Sequence, residues 1–265
     1  MSIIEKKWDN IKKSIKLAVE LASSFGYGAR TLTSANALIP ISYFIMKIGA
    51  SDTFIQSSRY QNERLRIRKW LAVSLIKRVF SVQPDNVLRQ IRALMQGDIQ
   101  EFPIESIKEK FKGTNKSITF SDDDIENLFY AKYGQNHTFS ILALLYPTLD
   151  YRNRFHQDHI FPKSWFKHKI LNEKKIALEK HDIYYDNVDS ITNLQILEGL
   201  PNEEKSNKDF KEWLEDIFKN KDDEKKDFMK KHHIPHDISL EFNNFEQFVN
   251  KRKELLKVKF KEVLQ

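Results

Sequence analysis

Residues 152–164 read RNRFHQDHIFPKS, and they place His156, Asp158 and His159 within four positions of a 265-residue chain that has only eight histidines. Packing does not ask for that cluster, because a buried Asp or His must be paired or hydrogen-bonded and gains little from a polar neighbour. Metal-assisted chemistry does ask for it. The segment FHQDHIFP (155–162) is too short for a helix and stops at Pro162, so it reads as a strand that ends in a turn.

Downstream, NLQILEG (193–199) reads as a second short strand. PNEEKSNKDFKEWLEDIFK (201–219) reads as one helix, opened by Pro201 and Asn202 and burying Phe210, Trp213, Leu214 and Ile217. Strand, loop, strand, helix is the order that brings the end of the first strand, the second strand and the start of the helix together. The charged stretch between the strands, to about residue 190, reads as irregular.

Upstream, the pattern is helical. Trp8, Ile11, Ile15, Ala18, Val19 and Ala22 recur at steps of three and four, which predicts an amphipathic helix ending near Gly26. Ser34 caps an apolar run through Met46. Residues 59–80 follow, with Ile67, Trp70, Leu71, Ser74, Leu75 and Val79 on one face and Arg64, Arg68 and Lys69 off it, the latter read as solvated, with a DNA-contacting role as the alternative. Pro84 opens a further short helix, and the pattern breaks over GDIQEFPIESIKEKFKGTNKS (97–117). A domain boundary is placed there, near residue 115. Beyond it, Ser121 with Asp124 forms a carboxylate version of a capping box for a helix from residue 122, and FSILALLYP (139–147) is another buried helix. The C-terminal stretch 240–264 is a long amphipathic helix burying Phe245, Phe248, Val249, Leu255, Leu256 and Phe260, with its basic residues facing solvent.

Composition supports this reading and narrows the chemistry. Seven Gly, seven Pro and abundant Lys, Leu, Ile and Glu favour helices over a turn-rich sandwich, and 19 Phe supply a core. The absence of Cys removes disulfides, thiolate metal sites and cysteine nucleophiles. A formal net charge of +7 favours a polyanionic partner. No segment approaches the ~20 apolar residues of a membrane span, and the start MSIIEKKWDNIKK lacks a signal peptide's apolar run, so a reducing cytoplasm is the expected location.

Phosphodiester hydrolysis needs a deprotonated water, a Lewis acid on the phosphate and cationic help for the developing charge. His159 is the candidate base, since imidazole titrates near neutrality. Asp158 and Asn202 offer hard oxygen ligands suited to Mg²⁺ or Mn²⁺, an ion that would keep several waters. His156 shares a pleat face with Asp158, so it is either a further ligand or a structural neighbour. A regular pleat would turn His159 away from Asp158, so the strand must end or bulge there. Asn193 is either the group that orients the base or a turn residue capping the loop before it. Lys205 lies one turn beyond Asn202 and reaches phosphate or solvent, and Asn207 and Lys208 share that ambiguity. His232, His233 and His236 lack ligands at a recognised spacing and are read as surface or loop residues.

DHIFPKS (158–164), NLQILEGLPN (193–202) and KSNK (205–208), in that order, resemble the HNH (ββα-metal) endonucleases, and in particular the nuclease region of GmrSD-like modification-dependent restriction proteins. The resemblance implies that Asp158 and Asn202 hold one divalent ion per active site, that His159 is the general base and that Asn193 supports it. It also implies 3′-hydroxyl and 5′-phosphate products. The Asn193 to Asn202 spacing fits the HNH lobes of CRISPR effector nucleases as well. Two positions depart from the pattern: Asp158 stands where many GmrSD-like members carry Glu, and Thr192 where Gly is common.

The expected architecture is mainly α, a helical domain over 1–115 followed by an α-rich HNH nuclease domain over 116–265 with a small ββα-metal core (about 153–219) and a C-terminal helix (about 240–264). The expected activity is metal-dependent cleavage of DNA, modified or not, in a bacterial restriction or antiphage system. That family's nucleotide-hydrolysing domain has no counterpart here and no P-loop occurs, so an NTPase or sensor domain or subunit is an expected partner. Homo-oligomerisation is left open. Two other classes compete: a DNA-binding or sensing subunit whose nuclease is silent without its partner, and an RNA-cutting, toxin-like HNH enzyme.

Overall fold

The computed structural model describes residues 3–147, 149, 151, 153 and 155–265, with the side chains of Ile3 and Leu200 excluded. Arg152 and Arg154 of the opening stretch lie outside the described residues. Among the described residues the chain is mainly helical with one two-stranded sheet. It divides into two compact units, Met1–Thr119 with Pro147–Arg152, and Phe120–Tyr146 with Asn153–Gln265. No helix among the described residues is long and apolar enough to cross a membrane.

The first unit is built from helices Trp8–Ser24, Leu38–Lys47, Gln61–Ile76, Pro84–Leu94 and Ile104–Lys110. Its first helix buries Ser14, Leu17, Ala18, Leu21 and Ala22, while Trp8, Ile15 and Val19 are exposed. The buried stripe therefore runs one ridge away from the expected one, because the small residues Ser14, Ala18 and Ala22 let the neighbouring Leu38–Lys47 helix approach closely. Trp70 anchors the core between Phe80 and Phe102. The basic residues of the Gln61–Ile76 helix are not simply solvated. Arg64 donates to the carbonyls of Phe54 and Ser57 (2.9 and 2.6 Å), and Arg68 donates to that of Pro147 (2.5 Å) and lies over the Tyr151 ring.

In the second unit, β1 (Phe155–His159) pairs antiparallel with β2 (Leu194–Glu198), from Phe155 opposite Glu198 to His159 opposite Leu194. The register has no bulge, so the strand ends at His159. Ile160 and Phe161 then drop into the core, and Pro162 leads into a 3₁₀ turn. Phe161 sits among Phe210, Phe242, Phe245 and Phe248. The stretch between the strands is less irregular than its charge suggests, for it contains the short helices His168–Glu173 and His181–Asn187.

The single helix expected over 201–219 is two. Gly199–Lys205 closes the ββα unit, Ser206 turns out at φ 42°, and Phe210–Ile217 restarts under an Asp209 cap whose side chain accepts from the Glu212 N–H (3.1 Å). The expected Ser121 and Asp124 capping box is present, opening helix Asp122–Leu128. Helix Phe245–Leu264 packs against helices Asp122–Leu128, Thr138–Leu145 and His181–Asn187 and against the turn Ile191–Asn193 that enters β2. One of its basic residues, Arg252, is fully buried, against the expectation that they all face solvent.

His232 corrects another expectation. It is buried, with Nδ1 3.2 Å from the Tyr146 hydroxyl and its ring stacked on Phe228. Burial pushes its pKa well below the usual imidazole value, and the charges of Lys231, Arg252 and His233 add to this. His233, half-buried beside it, is pushed down to about 4 by burial and Arg252, whereas His236 is exposed. Unfolding returns these rings to an ordinary pKa near ~6.5, so the unfolded chain binds protons that the folded one refuses as pH falls below that value. Stability is fully present above about pH 6.5 and should fall by roughly 1 kcal/mol per pH unit per ring below it. Urea titrations at pH 7.0 and 5.0 on the wild type and His232→Gln measure this directly. The variant should lose less between the two pH values, and equal losses would refute the account.

Candidate functional site

The site gathers at the carboxyl end of β1. Asp158 pairs across the sheet with Gln195, whose amide donates to Oδ2 at 2.9 Å. From the helix, the Lys205 ammonium lies 3.1 and 3.3 Å from the two Asp158 oxygens and donates to the His159 carbonyl at 2.6 Å. Lys205 is wholly buried. Burial lowers its pKa, and the Asp158 carboxylate works against that shift. Expected to reach phosphate or solvent, this lysine instead ties the helix to the end of β1 and neutralises Asp158.

His159 takes different partners from Asp158, as a strand without a bulge dictates. Its Nε2 is 2.7 Å from Asp189 Oδ1, and its ring packs on Tyr133 with centroids 4.6 Å apart. Burial lowers the His159 pKa, and the carboxylates of Asp189 and Asp158 oppose that shift. The ring is therefore predominantly neutral at neutral pH and able to accept a proton. Burial alone would raise the Asp189 carboxyl, but the Lys163 ammonium and the His159 ring together hold it below the usual carboxylate range. Lys163 lies 2.8 and 3.0 Å from the two Asp189 oxygens.

Asn193 is completely buried, and its side-chain hydrogen bonds among the described residues go to the backbone and not to the His159 ring. Its side chain accepts from the Phe161 N–H (2.9 Å) and donates to the carbonyls of Phe161 (3.1 Å) and Val188 (2.8 Å). It thus clamps the backbone just past His159 to the loop that carries Asp189. Asn202 is half-buried in the Gly199–Lys205 helix, one turn ahead of Lys205, and its amide makes no hydrogen bond to another described residue. Asn207 accepts from Ser164 at 3.2 Å, and Lys208 is exposed. His156 Nε2 is buried without a hydrogen-bond partner among the described residues.

Among the described residues no three His, Cys, Asp or Glu side chains converge as a metal-binding group. The candidate donors are instead the Asp158 carboxylate, which Lys205 and Gln195 also bond, the unbonded Asn202 amide and the orphaned His156 nitrogen. That predominantly hard set fits a Mg²⁺-like ion with few protein ligands and several waters, and does not fit a thiolate-preferring metal.

Sequence reasoning missed Asp189, Tyr133, Lys163 and Gln195. Gln195 lies opposite Asp158 in the register that the two short strands adopt. Asp189 and Tyr133 had no local signal, because 30 and 26 residues separate them from His159 along the chain. Their loops are joined by the backbone: the Tyr133 N–H donates to the Asp189 carbonyl at 2.7 Å, and Lys132 bridges Ser190.

Fold and site together define a helix-rich protein organised around a ββα unit, with a carboxylate and an imidazole at the end of its first strand. The chain belongs to the family of GmrSD restriction endonuclease C-terminal domains, whose sequence model matches residues 104–258, more than half its length. A nuclease activity of the restriction-endonuclease type follows from that membership. Comparison with curated proteins finds no match.

Proposed function

We propose that this protein is an HNH endonuclease that hydrolyses phosphodiester bonds in DNA with the help of one Mg²⁺ or Mn²⁺ ion, as part of a bacterial restriction or antiphage system. The observation that carries the reading is the attachment of the helix to the strand end. With Lys205 bonded to both Asp158 and the His159 carbonyl, Asn202 is held on the same short helix that is tied to the carboxylate and to the backbone of the base. When bound by Asp158 and Asn202, with His156 as a further donor, the ion supplies Lewis-acid stabilisation of the scissile phosphate and the leaving oxygen.

The remaining steps belong to the chain. His159, neutral and partly shielded, takes a proton from water, which attacks phosphorus in line. Asn193 keeps the strand end in register with the loop that carries the partner of His159. Lys205 fixes the orientation of Asp158, and Lys163 places positive charge beside the base. The net charge of +7 suits a polyanionic substrate.

Supercoiled plasmid incubated with the full chain and Mg²⁺, Mn²⁺ or EDTA should be nicked or linearised only in the presence of metal. A parallel digestion of RNA should show weak or no cutting. Folded protein that binds plasmid with a steep salt dependence yet never cuts it would reject the reading in favour of a sensing subunit that needs a partner. Preferential degradation of RNA would reject it in favour of a toxin-like ribonuclease.

A further inference from the structure

We propose that Asp189 is a positioning residue for His159: its carboxylate accepts the Nε2–H of the ring and thereby leaves Nδ1 as the nitrogen that takes the proton. The kinetic consequence rests on the nuclease reading above, whereas the tautomer rests on geometry alone.

An ionised carboxylate has no proton to donate, so the 2.7 Å contact between Asp189 Oδ1 and His159 Nε2 requires the hydrogen to sit on Nε2. In a neutral imidazole the other nitrogen then carries the lone pair. No described residue bonds Nδ1, so that lone pair is free for water. The ring cannot swivel easily, because Tyr133 packs against it with planes inclined at 46°.

The carboxylate is itself held from several sides. Lys163 grips both of its oxygens, the Asp189 carbonyl accepts from Tyr133, and Ser190 is bridged to Lys132. On the preceding side, Val188 accepts from the Asn193 amide. A merely superficial ion pair would not need its backbone anchored on both flanks. Asn193, the residue expected to orient the base, acts one step further out, through the backbone.

The test uses the full chain labelled with ¹⁵N-histidine, with long-range ¹H–¹⁵N correlation spectra recorded above neutral pH in EDTA. The His159 signal is assigned by its loss in His159→Gln. The wild type should show His159 as the Nε2–H tautomer. Asp189→Ala should give a mixture, and Asp189→Asn, which retains shape and can donate to the ring, should also depart from the wild-type pattern. Single-turnover plasmid cleavage should fall about 10²-fold in both variants, with DNA affinity within about twofold and the melting transition retained. A wild-type ring protonated on Nδ1, or wild-type tautomer and rate in both variants, would overturn the proposal. Tautomer loss in variants of a wild type that never cuts DNA would support the positioning role while removing the nuclease reading.

Discussion

His159→Ala should reduce metal-dependent plasmid cleavage by at least about 10³-fold, the upper part of the range that a positioned general base contributes. It should do so without unfolding the protein. The ring is one of several supports at the strand end, and its removal leaves Asp189 still paired with Lys163 through both oxygens. No charge is stranded, so the stability cost is that of one small cavity beside Tyr133, on the order of 1 kcal/mol. Lys205→Ala offers the contrast. It would leave the Asp158 carboxylate without its buried counter-charge and the His159 carbonyl without its donor, a change that typically costs ~3–5 kcal/mol. Activity should disappear in both variants, but only Lys205→Ala should lower the melting transition strongly. A His159→Ala protein that cuts within tenfold of the wild type would remove imidazole base catalysis from the mechanism. Joint loss of the melting transition and DNA binding would indicate misfolding.

What the sequence made legible here follows from the range of the interactions involved. β1, β2 and the helix after them were readable because a strand stop, a strand and a helix start are local events encoded within a few residues. The break at Ser206 was also encoded, since Asp209 and Glu212 form a second cap signal inside the supposed single helix. The first helix was misread for a different reason. Trp8, Ile15 and Val19 form as regular a stripe as the buried one, and only the partner helix decides between two apolar ridges. The site shows the same division. Asp158, His159, Asn193 and Asn202 stand in recognisable motifs, while Asp189 and Tyr133 reach His159 through tertiary loop pairing that no periodicity announces. Lys205 was located but its environment was not, because a lysine one turn into a helix is far more often solvated than buried. Arg252 did leave a trace: it occupies a position within the buried series Phe245, Phe248, Val249, Leu256 and Phe260, on the inner face of its helix.

That position makes Arg252→Ala a second strongly destabilising change expected in the second unit. The guanidinium is fully buried, and its donors all go to backbone carbonyls. Nη1 serves Ile191, Thr192 and Leu194 at 3.2, 2.8 and 2.9 Å, Nη2 serves His232 at 3.0 Å, and Nε serves His233 at 3.3 Å. Burial pushes its pKa down to about 10, which still leaves it charged at neutral pH. The carbonyls belong to the turn that enters β2 and to the end of the Asp222–Lys231 helix, so one side chain ties two segments together through buried acceptors, of which Ile191 also accepts from the Leu194 N–H. Each such acceptor left unmade costs ~1–3 kcal/mol before relaxation. A net loss of roughly 3–5 kcal/mol is therefore expected, a large part of the ~5–15 kcal/mol that a domain possesses. Lysine should rescue little, since an ammonium offers three donors from one point and cannot span acceptors on both segments. Lys253→Ala, on the exposed side of the same helix, should be nearly silent because its partner Glu126 is also paired with Lys257 in solvent. Urea unfolding of the three variants ranks them, and amide exchange over residues 188–198 locates the damage. Because the released turn carries Asn193 and adjoins Asp189, Arg252→Lys protein that remains folded should also lose cleavage. An Arg252→Ala protein as stable as Lys253→Ala would show that water or neighbouring donors replace the guanidinium, and would remove it as the link between the C-terminal helix and the turn that enters β2.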